Sequence, residues 1–405
     1  MCFLNKALGI LFFLMGNLLS IGCGKTKSTA SVTPPIIQDT LAFSSQVYAS
    51  GDDGYNTYRI PAIIKTNDGG LLAFIEGRVN SSADFGNVKI LVKKSMNNGK
   101  TWGHSLLIGQ NGNLQADNST PVMDNTDPNY PEGRIFLFYC TGNNTQANVT
   151  NLDGVREVWY ITSADNGATW SPPVNITLQV HHPYQPAFNP AYTDSLQWTA
   201  YATGPGHALQ MTVGKHIDRI IVPINHGIYS NKRNFAAAFY SDDHGNFFHL
   251  SPDVPLQSDE TTAAELQNGG VLLNSRNQYL GGNDRILSYD SSGNLGSTTK
   301  WQTSFNSYLP EPVCQGSMLN YTTSTGKQVL LFCNPTSIYS RSALGVRQSF
   351  DEGKTWTAPL ILEPGFAAYS DIVVLQNGHL GVLYEAGNYT IIRFISFKYE
   401  SIPVS

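Results

Sequence analysis

The sequence has little charge and no excess of basic residues. Charged side chains make up 14% of the 405 residues, whereas soluble globular domains average about 25%. The 25 Lys and Arg residues are fewer than the 30 Asp and Glu residues, and the net charge is -5. A protein that grips a nucleic-acid backbone needs a basic surface, so the composition argues against a nucleic-acid partner. Disorder is excluded too, because 11% of the residues are aromatic and can supply a core.

Cysteine is scarce and irregularly spaced. Three cysteines follow the N-terminal region, and an odd set of this kind is not a disulfide framework. No CxxC or HxxxH spacing occurs, so we expect no metal site. Cys314 and Cys333 bracket two strand-like runs around a turn at 321–326. Two alternatives stay open for them: a bridge across the hairpin, or two small buried side chains.

Long hydrophobic runs are confined to the N-terminus, where Lys6 precedes an apolar stretch from Ala7 to Ile21. This stretch is shorter than the roughly 20 residues that span a membrane, and it has the regions of a secretory signal. The segment ending at Cys23 (LSIGC) resembles the bacterial lipoprotein signal, and an ordinary signal peptide with a chance cysteine is the alternative. We expect a signal (1–22), a polar tether (23–38) and a folded domain (39–405). The protein would be exported to the periplasm, outer membrane or cell surface, with a lipid on Cys23 as its one membrane anchor.

Glycine is plentiful, with 37 residues, and a turn motif recurs. We call this motif, S-x-D-x-G-x-T-W, the Asp box. It is complete at 163–170 and 349–356, has Asn for Asp at 95–102, and keeps only its first half and an aromatic end at 241–248. The long gap before the last copy leaves room for a decayed box around Ser288–Asp290. In such a hairpin turn Asp accepts backbone N–H bonds, Gly supplies the positive φ and Trp packs between sheets.

The repeat predicts an all-β fold. Strand-like runs precede the boxes at Val88–Val92, Glu157–Thr162 and Ala236–Tyr240, and helical periodicity is almost absent. Units of this kind repeated radially form a β-propeller. Roughly 365 residues at about 60 per blade predict six blades with Asp-box turns. Binding propellers and enzymes both carry such boxes, so the boxes alone do not decide the function.

Tyr58-Arg59-Ile60-Pro61 lies near the start of the first predicted blade. Together with the Asp boxes, this Arg-Ile-Pro motif makes the chain resemble the bacterial and animal sialidases (exo-α-neuraminidases), from about Tyr58 to Tyr389. The resemblance implies a six-bladed propeller that releases terminal α-linked sialic acid from glycoproteins, glycolipids or oligosaccharides. It implies no metal and no organic cofactor.

The resemblance also implies three arginines that bind the carboxylate of sialic acid. They are Arg59 in YRIP, Arg276 in LLNSRN and Arg341 shortly before the last box. Guanidinium groups suit this task because they stay protonated and bind carboxylates bidentately. Arg347 is close enough in sequence to be the alternative for the third position. Glu385 in GVLYEAG matches the acid that holds the first arginine in place, which would give this strand-end carboxylate a partner.

The proton donor implied by the resemblance is Asp84, in ADFGN after Glu76-Gly77-Arg78. An Asp beside glycine on a loop between strands is well placed to cover a pocket and exchange a proton. An ordinary Asx turn is the alternative. Arg78 would help to hold the ligand or the loop.

The implied nucleophile is Tyr369 in GFAAYSDIVVL, and the implied base that activates it is Glu260 in SDETTAAEL. Glu265 is the rival base. A neutral phenol avoids repulsion by the carboxylate of the substrate, but it needs a base because an unperturbed tyrosine has a pKa of about 10. In the implied retaining reaction Asp84 protonates the leaving oxygen, Tyr369 captures the sialyl group covalently, and Asp84 then activates water.

Other functions stay open. A trans-sialidase would use the same residues with a different acceptor, and a carbohydrate-binding propeller would keep the boxes without catalysis. A glycosidase for a related keto-acid sugar such as KDN would differ only in the pocket for the N-acetyl group. Thr203–Gln210 resembles a stretch that packs near the family's site. The segment His181–Tyr201, rich in Pro and aromatics, either rims the pocket and sets linkage preference or forms a plain surface loop.

Overall fold

The computed structural model describes residues 41–405, and β-strands dominate this part of the chain. The predicted signal and tether, with Cys23, lie outside the described residues. Between residues 41 and 405 no helix has the length and apolar character needed to cross a membrane. The helices are short: α1 (Gln146–Thr150), α2 (Thr177–Val180) and 3₁₀ turns at Asp52–Gly54 and Tyr399–Ser401.

The strands are, in chain order, β1 (Leu41–Ala49), β2 (Thr57–Lys65), β3 (Leu71–Arg78), β4 (Val88–Ser95), β5 (Leu106–Gly109), β6 (Gln115–Asp124), β7 (Arg134–Gly142), β8 (Arg156–Ser163), β9 (Val174–Asn175), β10 (Trp198–Thr203), β11 (Leu209–Gln210), β12 (Ile220–Ile228), β13 (Arg233–Ser241), β14 (His249–Leu250), β15 (Thr261–Glu265), β16 (Val271–Ser275), β17 (Asp284–Asp290), β18 (Gln302–Pro310), β19 (Ser317–Thr322), β20 (Gln328–Pro335), β21 (Ser342–Ser349), β22 (Leu360–Val374), β23 (Leu380–Ala386) and β24 (Ile391–Phe397). The predicted strand runs lie within β4, β8 and β13. The all-β prediction is confirmed.

Successive strands form antiparallel meanders that follow one another along the chain. The first meander contains β2 to β5 and the second β6 to β9; the third contains β10 and β12 to β14, with β11 added on β12, and the fourth contains β15 to β18. A fifth is built from β19, β20 and β21 with the first half of β22, because Leu360 to Phe366 pair with β21. The second half of β22, from Ala367, pairs with β23 and begins the last meander.

The last meander is completed by the first strand of the described chain. After β23 and β24, strand β1 pairs antiparallel with β24, for example Ser44 with Ile395. Val47 and Tyr48 of β1 are buried in one hydrophobic cluster with Ile63 of the first meander and Phe394 of the last. The two ends of the described chain therefore share one sheet and one core.

Each Asp box closes the turn after the third strand of its meander. In the complete box at 163–170, Ser163 Oγ accepts the N–H of Gly167 at 2.9 Å, and Asp165 Oδ1 accepts the N–H of Thr169 at 2.9 Å. Asn97 does the same in the degenerate first box, since its Oδ1 accepts the Thr101 N–H at 2.9 Å. An amide oxygen thus replaces the carboxylate without loss of the turn.

Two of the boxes also pack closely against another meander. Gly99 has φ 87°, and a Cβ there would lie 2.3 Å from the ring of Phe394 in the last meander. Gly167 faces Leu72 of the preceding meander in the same way. Trp102 packs edge-on against Phe394 at 5.6 Å, and Trp170 against Phe74 at 5.9 Å. The expected packing of box tryptophans between sheets is confirmed for both.

The fourth meander has a turn of different construction at the place where a decayed box is expected. The carboxylate of Asp290, the last residue of β17, accepts N–H groups from Ser292 and Leu295 at 3.0 Å each. The nearby Trp301 is buried, and its indole donates to the carbonyl of Pro252 in the preceding meander at 2.8 Å. The turn position is preserved although the motif is not.

The cysteines at 140, 314 and 333 are free and buried. The expected hairpin is present as β19 and β20, but Ser317, not Cys314, lies opposite Cys333. Of the two alternatives, the buried thiols are therefore correct and the bridge is wrong. Burial raises the pKa of Cys314 and of Cys333 to about 12, so both stay protonated at neutral pH.

Candidate active site

A cavity of about 570 Å³ is lined by residues from each of the six meanders or from the loops that flank their strands. This volume is within the usual range for small-molecule sites. The wall contains all but one of the site residues expected from the sequence, namely Arg59, Arg78, Asp84, Glu260, Arg276, Arg341 and Tyr369. The first and the last of these residues, Arg59 and Tyr369, are more than 300 positions apart in the chain.

Glu385 lies behind this wall and fixes Arg59. The Glu385 carboxylate in β23 is fully buried and accepts Arg59 Nε at 2.6 Å and the Ile60 N–H at 2.9 Å. Ile60 has φ 57°, a left-handed conformation that is rare for a β-branched residue, and β2 bulges between Arg59 and Ala62. The strained backbone is held by the buried carboxylate, which leaves the guanidinium of Arg59 on the cavity wall.

Arg276 and Arg341 approach the same point from other meanders. Arg276 follows β16, and its Nη1 donates to Glu260 Oε2 at 2.7 Å and to Tyr369 Oη at 3.1 Å. Arg341 precedes β21, and its Nη1 donates to the hydroxyl of Tyr389 at 3.1 Å. The guanidinium carbons of Arg59 and Arg341 lie 5.7 and 5.4 Å from the centre of the Tyr369 ring. Three cations therefore surround one phenol and form a site for an anionic group.

The phenol of Tyr369 is buried and lies between a carboxylate and a guanidinium. Its hydroxyl donates a hydrogen bond to Glu260 Oε1, while Arg276 donates to the phenol oxygen. Burial and then the negative charge of Glu260 raise the pKa of Tyr369 well above its ordinary value, and the nearby guanidinium of Arg276 opposes this. Tyr369 is thus neutral at rest, and Glu260 is the group positioned to take its proton as the phenol reacts.

Asp84 lies at the mouth of the cavity on an exposed loop between β3 and β4. Its side chain is 87% exposed, and Arg78 Nη1 donates to its Oδ1 at 2.7 Å. Arg78 is itself buried and is held by Glu76 Oε2 at 2.8 Å. The exposed loop carboxylate is therefore joined to the wall through one buried arginine.

The alternative base, Glu265, and the alternative third arginine, Arg347, do not line the cavity. Glu265, at the end of β15, accepts the N–H groups of Thr212 and Val213 at 2.9 and 2.8 Å and is absent from the cavity wall. Arg347 lies inside β21 and donates to Asn334 at 3.3 Å. The geometry thus groups Glu260 and Arg341, rather than Glu265 and Arg347, with Tyr369.

Two neighbouring segments take different positions. Only the end of the 181–201 segment, Ala200 and Tyr201 in β10, lines the cavity. In the 203–210 stretch, His207 Nδ1 lies 2.6 Å from Asp371 Oδ1 and does not line the cavity. This stretch packs beneath the site as a structural element.

Several wall residues carry no motif and were missed from sequence. Asp117 and Arg156 belong to the second meander. In the fourth, Asp259 directly precedes Glu260 in the sequence and Tyr279 follows shortly after Arg276. Asp259 could have been suspected because it directly precedes the expected base. The others are single polar residues in loops and strands, so that nothing in the sequence singles them out.

A second cluster brings three potential metal ligands together. Ligand atoms of Asp124, Asp127 and His244 lie within 4.8 Å of one another. Arg134 Nη2 is 2.7 Å from Asp127 Oδ2 and supplies the positive charge there. The cluster is away from the cavity, and its arginine makes it a salt-bridge network rather than a metal site.

Comparison with known proteins gives the same picture. Residues 69–382 match the BNR repeat-like domain family. The sialidase of Micromonospora viridifaciens is 29% identical over 394 residues, which are 93% of this chain and 57% of that protein. The sialidase of Bacteroides fragilis is 28% identical, with 83% of this chain and 61% of that protein covered. The chain therefore spans less than two thirds of these two curated relatives.

A solved structure extends the comparison to three dimensions. The Hadza microbial sialidase Hz136 superimposes with a TM-score of 0.76 at 26% identity, covering 89% of this chain and 69% of that one. The family match covers most of the chain. The chain belongs to the BNR repeat-like domain family and is similar to sialidases over most of its length.

Proposed function

We propose that this protein is a retaining exo-α-sialidase that cleaves terminal sialic acid from glycans. The observation that carries the proposal is the arrangement around Tyr369, whose hydroxyl donates to Glu260 while Arg59, Arg276 and Arg341 surround it. Sialic acid carries a carboxylate on its reacting carbon. Cations beside a neutral nucleophile are the combination that this substrate requires.

We further propose that the meanders are the six blades of a closed propeller. Two contacts support closure. Strand β1, which leads into the first meander, pairs with β24 of the last meander, and Gly99 of the first meander packs against Phe394 of the last. The cavity would then lie at one end of the central axis, where the first strands of all blades converge. The proposed export signal and lipid at Cys23 would place this cavity outside the cytoplasm.

The reaction begins with binding of the substrate carboxylate by the three arginines. Asp84, in its acid form, gives its proton to the glycosidic oxygen, and the bond from the anomeric carbon to that oxygen breaks. Tyr369 Oη attacks the anomeric carbon, and its proton passes to Glu260 Oε1. The products are the free aglycone alcohol and a sialyl group bound covalently to Tyr369.

Hydrolysis of this intermediate reverses the proton movements. The Asp84 carboxylate takes a proton from a water molecule, whose oxygen attacks the anomeric carbon on the face that the aglycone left. The bond to Tyr369 breaks, and Glu260 returns the proton to the phenolate. Two displacements give net retention of configuration, and the loop position of Asp84 suits a group that serves first as acid and then as base.

The test is release of 4-methylumbelliferone from its α-N-acetylneuraminic acid glycoside by the wild type, Tyr369→Phe and Asp84→Ala. We expect turnover by the wild type and a loss of several orders of magnitude in kcat for Tyr369→Phe, because the covalent route is closed. Tyr184→Phe, which removes a hydroxyl outside the cavity, should retain full activity. Wild-type rates in Tyr369→Phe would contradict the nucleophile, and no release by folded wild type would contradict the function.

A further inference from the structure

A fully buried ion pair lies behind the cavity wall and takes no part in the proposed reaction. It joins Arg285 of β17 to Glu311, the residue after β18, with 2.8 Å between Nη1 and Oε2. Both side chains are 0% exposed, and neither lines the cavity. Desolvation of the two charges offsets most of their attraction in such a place, so stability alone is a poor explanation for the pair.

The pair holds the backbone on both sides of Arg276. Glu311 Oε1 accepts the N–H of Asn277, the residue after Arg276, at 2.7 Å. Two positions before Arg276, Arg285 donates from Nε to Asn274 Oδ1 at 2.7 Å and from Nη2 to the Asn274 carbonyl at 2.9 Å. The side chain of Arg276 therefore starts from a segment whose course is fixed by two buried charges.

The same pair holds the segment that receives Arg341. Arg285 Nη1 donates to the carbonyl of Cys314 at 2.8 Å, and Glu311 Oε2 accepts the Cys314 N–H at 3.3 Å. The carbonyl of the preceding residue, Val313, accepts Arg341 Nη2 at 3.1 Å. Val313 has φ 54°, a left-handed conformation that is rare for a β-branched residue and persists only where the surroundings enforce it. One ion pair thus fixes the supports of two of the three arginines.

Glu385 supports the first arginine in a comparable way. Its buried carboxylate also lies against a β-branched residue with a left-handed backbone, Ile60, next to Arg59. Glu385 binds the guanidinium of Arg59 itself, whereas the buried pair acts on the other two arginines through the main chain. A bidentate grip on a carboxylate needs its guanidinium groups placed to within about 0.5 Å, so it depends on what holds them from behind.

The inference that follows rests on the proposed function. We infer that Arg285 and Glu311 are positioning residues, which set the spacing of the two arginines they support and thereby determine how tightly the site binds the carboxylate of sialic acid. Neither residue touches the substrate. Loss of the pair displaces both arginines and weakens the grip on the carboxylate, while the contacts to the rest of the sugar stay.

The experiment measures what the carboxylate contributes to binding in the wild type and in Glu311→Gln. The probes are 2-deoxy-2,3-didehydro-N-acetylneuraminic acid and its carboxamide, used as competitive inhibitors of 4-methylumbelliferyl sialoside cleavage. The ratio of their inhibition constants, amide over acid, reports the contribution of the carboxylate and does not depend on how much of the enzyme is folded. In Glu311→Gln we expect this ratio to fall about ten- to a hundredfold, the range for a hydrogen bond to a charged group.

Two further variants separate positioning from stability. Arg285→Met combined with Glu311→Leu replaces the pair by apolar side chains of comparable volume, an exchange that folded proteins often tolerate, and should lower the ratio as well. This double variant decides the question if Glu311→Gln does not fold. Asp127→Asn is the matched control, because it removes a buried carboxylate from an arginine pair away from the cavity and should lower stability without changing the ratio.

An unchanged ratio in the folded variants would overturn the inference, because the pair would then support only the fold. A fall of similar size in Asp127→Asn would overturn it too, since the ratio would then follow stability. No sialoside cleavage by the folded wild type would reject the sialidase function, and the inference with it. Cleavage by the wild type with the ratio unchanged in the variants would reject the inference alone.

Discussion

Asp117 and Glu76 are two buried carboxylates on the cavity wall, and burial affects both. Burial raises the pKa of Asp117 to about 7, a shift that the cation Arg156 reduces and the neighbouring charge of Glu76 increases. The pKa of Glu76 is raised as well, chiefly by burial and against the opposing charge of Arg78. Buried guanidinium groups therefore compensate these carboxylates only in part.

This arrangement predicts a pH-dependent stability. The ordinary pKa of Asp117 is 3.8 and its value in the folded protein is about 7, so between these values the folded state holds a proton that the unfolded state has lost. The contribution of Asp117 to the free energy of unfolding is therefore fully present below pH 4 and is lost as the pH rises through 7. Asp117→Asn removes this dependence. From pH 5 to pH 8 we expect the stability of the variant relative to wild type to rise by about 1–3 kcal/mol.

Urea unfolding followed by tryptophan fluorescence at both pH values measures this difference. Asp53→Asn is the matched control, because Asp53 is exposed on a turn and Asn also accepts its positive φ. A gap between Asp117→Asn and wild type that is constant from pH 5 to pH 8 would show that Asp117 titrates normally in the folded protein.

At the scale of the residue, the sequence predicts the site residues that lie in a recognisable motif and misses the site residues that lie outside one. Arg59, Asp84 and Tyr369 sit in recognisable segments, and the structure brings all three to one cavity. Asp117 lies on the cavity wall because of the register of β6, and Tyr279 because of the course of the loop after β16. Which polar side chains of a strand face a cavity depends on bulges such as the one in β2, and these leave no mark in a single sequence.

At the scale of the element, the box glycine has two separate functions. It supplies a positive φ, and its missing side chain lets the turn contact the previous meander. Gly99 (φ 87°) has Phe394 carbons at 2.3 and 2.6 Å from a built Cβ, whereas Gly378 (φ 80°) has nothing within 4 Å. The two positions share the backbone conformation and differ only in contact.

This comparison predicts the cost of the contact. Gly378→Ala should lower the free energy of unfolding by about 1–2 kcal/mol, the cost of a left-handed conformation. Gly99→Ala should lose this amount and about 1–3 kcal/mol more, because the buried ring of Phe394 must shift. Urea midpoints for both variants provide the measurement. Equal losses would mean that the box turn does not depend on close packing against the neighbouring sheet.

Box turns and the strands before them were predictable, because Ser, Asp and Gly act through local hydrogen bonds. The fourth meander was harder to place, since Asp290 builds its turn from a different set of N–H groups. The sequence could not decide whether Cys314 and Cys333 form a bridge or are two buried thiols, because the register of the hairpin determines which residues lie opposite each other. A small offset puts Ser317 opposite Cys333, and turn length alone did not reveal that offset.

At the scale of the whole molecule, the decisive contact joins residues far apart in sequence. Strand β1 adds to β24, and the long β22 serves two meanders. Six repeats could be estimated from chain length, but no local pattern identifies the partner of β1. Pairing over this distance is a non-local contact, and the local patterns of a single sequence do not specify such contacts.

The pairing of β1 with β24 gives the last prediction. Val47 of β1 is 3% exposed, within the cluster that joins the first and last meanders, while its neighbour Gln46 is exposed on the other face of the same strand. Val47→Asp buries an unpaired charge in this cluster and should cost at least about 3 kcal/mol, whereas Gln46→Asp should cost less than about 0.5 kcal/mol. If this pairing stabilises the whole of the described structure, Val47→Asp should lower the urea midpoint for the proposed sialoside cleavage as much as the midpoint for fluorescence, although Val47 does not line the cavity. A loss confined to fluorescence would show that β1 frays locally and that the remaining sheets hold the site without it.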